Sequence, residues 1–519
     1  MKVLVISLLR LGDFVQTLPI LNALKTQYPI NRLDVLVHEP VKALAPMVPD
    51  VNHWWTIDRD GLQEGLGRGE IPLLTSFSVL KEQLDTINDC RYDCIINLTQ
   101  THYSAWIAGY LNTGNRIGLT FDSKGLAHFH SPWFKYLDEH SPLDVKDVFH
   151  YTDIFFYGSG LKGAERNYVM RETREGRREV AALNLSESEK IVLQVFTSDK
   201  KKNWSEDSWA RMLTQLQMFR PKAEFVLLCS PAEESRLETL LSRVREAGVR
   251  AAKAVLSLEG ALSLLNQASL LITGDTSIKH IANAAATPIL ELSIGSSDYR
   301  RTGAYKPDSI VMQGRARCAP CPHSSPCSQS EHICADRISP EAVSTVAHHL
   351  IEREYNGLQR LAREFTDEVQ ILRTRQLASG FWYAEDLSES NPASMVEKLI
   401  ERCTWKFLLN REYLNPLAQF GSEGVRLKQE LEQLLSADGR AKAFEHLGFL
   451  ETEADKMREA IGHKMASVQA QTQTELRAPG IVEIGGIRRM QNQLEHAYQQ
   501  SQLKVKLIRS LKTQLTESQ

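Results

Sequence analysis

Short apolar runs alternate with helix-compatible stretches along the first 165 residues of the chain. These runs fall at 3–6, 33–37, 94–98 and 116–119. Such alternation is typical of βα units that build a mainly parallel sheet. After a polar stretch, a second series of apolar runs falls at 191–196, 224–229, 268–273 and 289–294. The pattern predicts two doubly wound α/β domains in tandem, with a cleft between them.

The pattern changes beyond about residue 350, where long helical stretches rich in Glu, Gln, Arg and Leu follow. We therefore expect three domains, at 1–170, 171–355 and 356–519, the last of them helical. Near the end of the chain a heptad-like seam runs through Ile487, Met490, Leu494, Ala497, Ser501, Lys504, Ile508, Leu511 and Leu515. This spacing at 487–515 predicts either a self-associating coiled coil or a helix packed on its own domain.

Composition narrows the class of protein. A chain of 519 residues is too long for one core, and 42% hydrophobic with 24% charged residues is typical of a soluble protein. With 61 basic and 64 acidic residues, a net charge of -3 gives no overall attraction to nucleic acid, so no nucleic-acid partner is expected. No segment has the length of a transmembrane helix, and Arg10 and Asp13 interrupt the N-terminal apolar run early. The sequence predicts a cytoplasmic protein.

One strand-to-helix junction carries candidate chemistry. The apolar run at 270–272 fits a strand covered on both faces, and Gly274 permits a tight turn. Asp275 or Thr276 can cap the following helix, whose free amides would face an anion. His280 lies four residues after Thr276 and shares its helix face. On these residues alone, a plain helix cap is the favoured interpretation and a ligand site the alternative.

A second junction follows the apolar run at 3–6, with Gly12 at the turn and Asp13 near a helix start. Together the two junctions resemble glycosyltransferase family nine, the heptosyltransferases of lipopolysaccharide core synthesis, over about residues 1–350. The motifs that carry the resemblance are Leu11 to Asp13, Thr17 to Pro19, Asp275 with Thr276 and His280, Thr287 with Pro288, and Arg301 to Tyr305. The resemblance implies a GT-B fold of two facing Rossmann-like domains, followed here by an α-helical C-terminal extension.

The resemblance also implies roles for individual residues. Asp13 becomes the general base that takes the proton of an acceptor hydroxyl. Lys202 and the amides at Thr276 and Ser277 would hold the donor phosphates, and Glu233 the donor ribose. The implied donor-binding residues are Gly12, Thr197, Ser198, Lys202, Glu233, Leu256, Asp275, Thr276, Ser277 and His280. From residue chemistry alone, Asp13 is also a plausible helix-start residue, and the lysines at 200–202 a solvated run.

Two positions depart from the family pattern. Ser277 stands where the family commonly has Gly, so its side chain either crowds the pyrophosphate or adds a hydroxyl. Asn97, on the acceptor side, stands where relatives often carry Asp. Basic residues that would contact an anionic acceptor are Arg10, Lys124 and Lys135.

The expected activity is inverting transfer of heptose from ADP-heptose to a lipid-linked lipopolysaccharide core at the inner membrane face. No metal and no cofactor are expected to take part. The alternatives are another nucleotide sugar, a protein or other glycan as acceptor, and a non-catalytic scaffold with a degenerate transferase core. Self-association through the C-terminal helices is a further expectation.

Four of the eight cysteines cluster at Cys318, Cys321, Cys327 and Cys334. The first pair has zinc-site spacing, while the second pair is spread more widely. Structural zinc is therefore the less favoured alternative to reduced packing cysteines or a redox-sensitive pair.

Overall fold

The computed structural model describes residues 1–58, 62, 73–139, 149–323, 325–388, 391–410, 420–475 and 481–516. The chain divides into two compact units. The first comprises Met1–Gln376 with Gly380–Ser388, and the second comprises Leu377–Ser379 with Glu389–Gln519. We number the strands and α-helices of the described residues in chain order.

The strands are β1 Lys2–Ser7, β2 Arg32–His38, β3 His53–Ile57, β4 Cys94–Asn97, β5 Asn115–Phe121, β6 Ala127–Phe129, β7 Lys190–Gln194, β8 Glu224–Cys229, β9 Ala251–Val255, β10 Leu270–Thr273, β11 Ile289–Ser293, β12 Ile310–Gly314, β13 Val369–Gln376 and β14 Trp382–Asp386. The helices of the first unit are α1 Leu11–Val15, α2 Leu18–Gln27, α3 Leu73–Asp89, α4 His102–Tyr110, α5 Pro132–Glu139, α6 Tyr151–Gly158, α7 Arg174–Ala182, α8 Glu206–Phe219, α9 Glu234–Glu246, α10 Leu258–Leu265, α11 Ser277–Ala282, α12 Tyr299–Thr302, α13 Ile333–Asp336, α14 Pro340–Ile351 and α15 Tyr355–Glu364. The first unit also contains 3-10 helices at Glu39–Met47, Lys200–Lys202 and Pro231–Glu233. The helices of the second unit are α16 Pro392–Leu409, α17 Phe420–Leu434, α18 Ala437–Glu475 and α19 Ile481–Thr516.

The N-terminal sheet has the strand order β3-β2-β1-β4-β5-β6. Strands β1 to β5 are parallel, and β6 pairs antiparallel to β5 at the edge. Strand β2 lies on one side of β1 and strand β4 lies on the other side. The direction in which successive strands are added to the sheet therefore reverses between β1 and β4. Ile6 pairs with Asn97 there. Residues after β1 and after β4 therefore emerge side by side at a topological switch point.

The second sheet has eight strands in the order β14-β13-β12-β11-β10-β7-β8-β9. In this order, the six strands from β12 through β11, β10, β7 and β8 to β9 are parallel to one another. Strand β13 is antiparallel to β12, and β14 is antiparallel to β13. The order reverses between β7 and β10, where Thr273 pairs with Gln194. The loops after these two strands thus meet at the second switch point.

One hydrophobic cluster, here called the shared core, contains side chains from both halves of the first unit. It includes Val3, Val5, Phe14, Leu18, Val192, Val226, Leu262, Leu271, Ile278 and Ile281. Side chains alternate between the two faces of a sheet along each strand. Accordingly, Leu4 and Ile6 of β1 belong to a second cluster, and Leu270 and Ile272 of β10 belong to a third. The prediction that 270–272 forms a strand covered on both faces is confirmed.

The predicted fold class is confirmed, because both series of apolar runs form strands of two largely parallel sheets. The predicted start of the helical extension at residue 356 is wrong, since β13 and β14 extend the second sheet to Asp386. In β13 the buried Val369 and Ile371 alternate with Gln370 on the other face, and Arg373 follows. A strand with so many polar positions lacks the apolar run by which the others were predicted.

The second unit is a bundle in which α18 and α19 run antiparallel. The guanidinium of Arg509 on α19 donates to Glu451 at 2.7 Å and to Asp455 at 3.0 Å, both on α18. The ammonium of Lys504 donates to Glu401 of α16 at 2.7 Å. No helix among the described residues is long and apolar enough to cross a membrane.

The predicted seam of α19 is covered within its own unit. Ser501, Ile508 and Leu511 are buried, but so are residues off the seam, namely Leu503, Val505 and Leu507. The structure therefore shows the alternative in which this helix packs on its own domain. The side chains of Ile487 and Met490 lie outside the described residues, and self-association stays a prediction.

Gly118 provides a test of the register between β4 and β5. Its φ is +99°, and a methyl group there would lie 2.1 Å from the carbonyl oxygen of Asn97. Gly163 has a similar φ of +96° with no described atom within 4 Å of such a methyl. We expect Gly163→Ala to lower the unfolding free energy by about 1 kcal/mol through the left-handed backbone. Gly118→Ala should lower the unfolding free energy by about 2 kcal/mol more than Gly163→Ala, because its methyl group would overpack against Asn97. Denaturant titrations measure both values, and equal losses in the two variants would contradict the pairing of β4 with β5 at this position.

Candidate active site

The two switch points meet where α1 contacts α11. A methyl group on Gly12 would lie 2.9 Å from Cδ2 of His280 and 3.4 Å from Cα of Ser277. Only a residue without a side chain permits this approach. The structure thus brings Gly12, Ser277 and His280, which were predicted from distant parts of the sequence, to one place.

The wall on the donor side is built from the loops after β7 and β10. Thr276 caps α11 by accepting from the amide of Lys279 at 3.3 Å, and Ser277 begins the helix. Lys202 lies in a short 3-10 helix that Asp199 caps. Its ammonium donates to Oδ2 of Asp275 at 2.7 Å. A direct ion pair therefore joins the lysine loop to the Asp275 junction.

Lys279 joins this wall to the interior of the sheet. It is fully buried, and its ammonium donates to Oδ1 of Asp275 at 2.6 Å and to Glu291 of β11 at 2.8 Å. Glu291 also accepts from the amide of Ala304 at 2.8 Å. Burial opposes the charge of Lys279, yet the two carboxylates outweigh it and raise its pKa. Burial likewise opposes the charge of Asp275, but Lys279, His280 and Lys202 hold the pKa of Asp275 well below its usual range.

Asp13 lies on α1, the helix that contacts α11. Burial and the charge of Asp275 raise the pKa of Asp13 to about 6, against the opposing effect of Arg10, Lys202 and Lys279. The side chain of Gln16 donates to Oδ1 of Asp13 at 3.3 Å. A carboxylate whose pKa lies near the working pH is well matched to removing a proton from a hydroxyl.

His280 is buried, with 4% of its surface exposed. Burial, reinforced by Lys279, lowers the pKa of His280 to about 4, so its imidazole is neutral near pH 7. Its Nε2 lies 3.7 Å from Oδ1 of Asp275, and Nδ1 has no hydrogen-bond partner among the described residues. These properties fit a hydrogen-bonding role better than acid catalysis.

The remaining predicted donor residues lie along the same edge of the second sheet. Thr197 and Ser198 follow β7, Glu233 follows β8 and Leu256 follows β9. The hydroxyl of Thr197 donates to the carbonyl of Asp199 at 2.7 Å, which fixes the loop that carries Lys202. The carboxylate of Glu233 accepts from the amide of Ser230 at 3.0 Å. Because β7 to β10 are parallel, all these residues follow carboxyl ends of strands, where ligands bind in such sheets.

On the acceptor side, Asn97 shapes the turn after β4. Its amide nitrogen donates to the carbonyl of Leu119 at 2.8 Å, and its oxygen accepts from the amide of Thr99 at 3.0 Å. Arg10, Lys124 and Lys135 are exposed, and their contact with an acceptor stays a prediction.

Sequence reasoning missed Lys279, Glu291 and the approach of the cysteine loop. Lys279 lies four residues after Asp275, the spacing of helical ion pairs, and Glu291 is the one charge in the run 289–294. The ammonium of Lys201 donates to the carbonyls of Pro322, His323 and Ser325 at 2.9, 3.0 and 2.6 Å. Burial and the charge of Lys202 lower the pKa of His323, which Asp275 opposes. This loop therefore lies beside the donor wall.

A zinc site at the cysteine cluster stays an untested alternative. Among the described residues, no group of three or more His, Cys, Asp or Glu side chains is arranged to hold a metal ion. Cys334 is buried on α13, whereas Cys327 is exposed.

A family model, glycosyltransferase family 9 (heptosyltransferase), matches residues 82–331, which include every predicted site residue of the second sheet. The chain contains a glycosyltransferase family 9 domain. Its two facing Rossmann-like halves form a GT-B fold, with the helical unit as an addition at the C-terminus. The enzyme class predicted from the two junctions, a glycosyltransferase of the heptosyltransferase family, is confirmed.

Three similar proteins extend the comparison of this family 9 chain. Lipopolysaccharide heptosyltransferase 3 of Escherichia coli (strain K12) is 25% identical over 308 residues, covering 56% of this chain and 80% of that protein. Lipopolysaccharide heptosyltransferase 1 of Pseudomonas aeruginosa is 24% identical over 383 residues, covering 66% and 96%. The solved structure of the glycosyl transferase family 9 from Veillonella parvula has a TM-score of 0.52 at 18% identity, covering 68% and 97%. This last likeness supports the fold.

Lys279→Met tests the buried charge network. Removing the ammonium leaves the carboxylates of Asp275 and Glu291 buried without their main partner, so we expect a loss of about 3–5 kcal/mol in unfolding free energy. Lys253 is the matched control, because it also bridges two carboxylates, Glu234 and Glu238, but at the surface. Lys253→Met should change stability little. Similar losses for both variants would show that the network around Lys279 adds nothing special.

Proposed function

We propose that the protein is an inverting, metal-independent glycosyltransferase that moves a heptose from ADP-heptose to the lipopolysaccharide inner core. The observation that carries the proposal is the meeting of Asp13 with the wall of Lys202, Asp275 and His280 in one cleft. A base with a pKa of about 6 thus lies near a largely buried ammonium group, that of Lys202, which could turn from Asp275 to a diphosphate.

On the donor side, Lys202 offers an ammonium group that is largely shielded from water, with 10% of its side chain exposed. A diphosphate leaving group gains negative charge as it departs, and a nearby ammonium stabilises this charge most where water is excluded. Amides at Thr276 and Ser277 would add donors, and Glu233 and the Leu256 loop would hold the nucleoside. His280 would donate a hydrogen bond as a neutral imidazole.

On the acceptor side, Asp13 removes the proton of the attacking hydroxyl. The oxygen bonds to the anomeric carbon while the bond from that carbon to the diphosphate breaks with its electron pair. Attack from the face opposite the leaving group inverts the anomeric configuration. In this proposal the charges that stabilise the leaving group all come from the protein.

The heptose and the lipopolysaccharide acceptor are inferred from relatives named lipopolysaccharide heptosyltransferases, and ADP as the carrier of the heptose follows from the family resemblance. A lipid-linked acceptor would be met at the cytoplasmic face of the inner membrane, and the helical unit would serve self-association or docking there. Ser277 supports one alternative, another nucleotide sugar, because it adds a hydroxyl where α11 meets Gly12. The match to the family model of glycosyltransferase family 9 supports an enzyme over the scaffold alternative.

Asp13→Asn should lower kcat by about 10²- to 10⁴-fold, the usual contribution of a general base, while ADP binding stays unchanged. In the wild type, the base acts only when deprotonated, so kcat/KM should fall about tenfold per pH unit below about pH 6, the pKa of the raised carboxyl. Steady-state rates with ADP-heptose across pH provide the measurement. A fully active Asp13→Asn enzyme would exclude this residue as the base.

Lys202→Met should weaken ADP binding about ten- to a hundredfold, through loss of a charge-assisted contact with the phosphates. Lys200→Met is the matched control, because Lys200 is exposed in the same 3-10 helix and should leave the affinity unchanged. Calorimetric titration of ADP and UDP into each variant measures the effect. Equal affinity of the two lysine variants, or a wild type that prefers UDP, would count against the proposed donor site.

A further inference from the structure

Gln16 occupies an unusual position beside the candidate base. It ends α1, three residues after Asp13, and its surface is 0% exposed. Its Nε2 donates to Oδ1 of Asp13 at 3.3 Å. Its Oε1 has no hydrogen-bond partner in the described part of the chain. Its backbone carbonyl accepts from the hydroxyl of Thr152 at 3.2 Å, which ties this residue to α6.

A buried amide oxygen without a donor is unfavourable, and an apolar side chain of similar size would avoid that loss. The amide nevertheless has a property that no apolar side chain offers. It carries a donor and an acceptor on one planar group, and a half-turn about its last side-chain bond exchanges them. Because Oε1 has no other partner, this rotation breaks no other hydrogen bond.

We propose that Gln16 is a positioning residue that hydrogen-bonds Asp13 in both of its protonation states, an inference that rests on the proposed role of Asp13 as the base. Before transfer, the NH₂ group donates to the carboxylate. During transfer the acceptor O–H bond breaks and its proton passes to Asp13, while the oxygen bonds to the anomeric carbon and the nucleotide diphosphate leaves that carbon with the electron pair of the broken bond. The new O–H group of Asp13 then donates to Oε1 of the rotated amide. Gln16 itself gains and loses no proton.

The electrostatic surroundings of Asp13 make both states accessible near neutral pH. The ionisable groups that interact with its carboxyl come from each neighbouring element: Arg10, Tyr151, Lys202, Asp275 and Lys279. Burial and Asp275 raise the pKa of Asp13 to about 6. A neutral amide supports such a group without adding a charge that would favour one state strongly.

The first test compares Gln16→Met with the wild type. Methionine fills similar space without an amide, so folding should be retained and thermal stability kept or slightly raised. We expect kcat to fall about tenfold, the effect of losing one hydrogen bond to a charged group. The acidic limb of kcat/KM should move up by up to about one pH unit, because the hydrogen bond lost by the charged carboxylate is stronger than the one lost by the neutral carboxyl group. The affinity for ADP, measured by titration, should not change.

Two further variants separate positioning from packing. Gln16→Glu keeps the shape but places a second carboxylate beside Asp13, so the acidic limb should move up further than in Gln16→Met. Thr17 is the next residue, equally buried, and donates to the carbonyl of Phe14 at 2.7 Å rather than to Asp13. Thr17→Val should leave the acidic limb in place. A limb that is unmoved in Gln16→Met, or moved equally in Thr17→Val, would overturn the inference.

A second measurement does not depend on transferase activity. The difference in unfolding free energy between the wild type and Asp13→Asn reports the titration of Asp13. Because the folded pKa is raised from 3.8 to about 6, stability due to the carboxyl should decline as pH rises through that window and then level off. With Gln16→Met in both proteins, the decline should continue to higher pH. If the wild type has no transferase activity but Gln16→Met moves the decline to higher pH, the proposed function alone is refuted. If Gln16→Met leaves the stability curve unchanged, the proposed contact between Gln16 and Asp13 is refuted.

Discussion

The pairing of Asp275 with two lysines is the interaction on which the rest of the cleft depends. A charged group inside a protein is tolerated only when its partners are close and well oriented. Lys202 holds Asp275 from the loop after β7, and Lys279 holds it from α11 while reaching Glu291 in β11. Three elements are thereby fixed to one carboxylate. The imidazole of His280 lies beside the same carboxylate, with Nε2 3.7 Å from Oδ1 of Asp275.

This wall also sets the chemistry of the other half of the cleft. The negative charge of Asp275 raises the pKa of Asp13, and Lys202 and Lys279 oppose that effect. The properties of the proposed base thus depend on residues more than 180 positions away in sequence. Gly12 makes the coupling strong, because its missing side chain allows α1 to lie directly against His280.

Strands with two buried faces could be predicted from the sequence, because an uninterrupted apolar run such as 270–272 is stable only where both faces of the strand are covered. The candidate site residues Asp13, Lys202 and Asp275 were predicted from the order of the motifs along the chain. Hydrophobic periodicity alone does not single out these residues. Other features depend on tertiary neighbours. Lys279 and Glu291 lie 12 residues apart and become partners only when α11 packs beside β11. In β13, which lies between β12 and β14, Gln370 donates to Asp386 at 2.6 Å and Arg373 donates to Asp308 at 2.8 Å, so these polar side chains gain their partners only in the folded sheet. The seam of α19 has the spacing of a coiled coil, and that spacing does not reveal that Lys504 pairs with Glu401 of the same chain.

The shared core has a consequence for how substrates enter and leave. Domain pairs joined by small polar interfaces move readily relative to each other, whereas extensive apolar contact resists such motion. Here Val3 and Phe14 from one half and Val192 and Leu271 from the other belong to one cluster. Wide separation of the halves would return this surface to water, at roughly 25 cal/mol for each Å² exposed. Exchange of donor and acceptor is therefore easier by local rearrangement of the loops at the strand ends, where hydrogen bonds such as those from Lys201 to the carbonyls of Pro322, His323 and Ser325 would have to open.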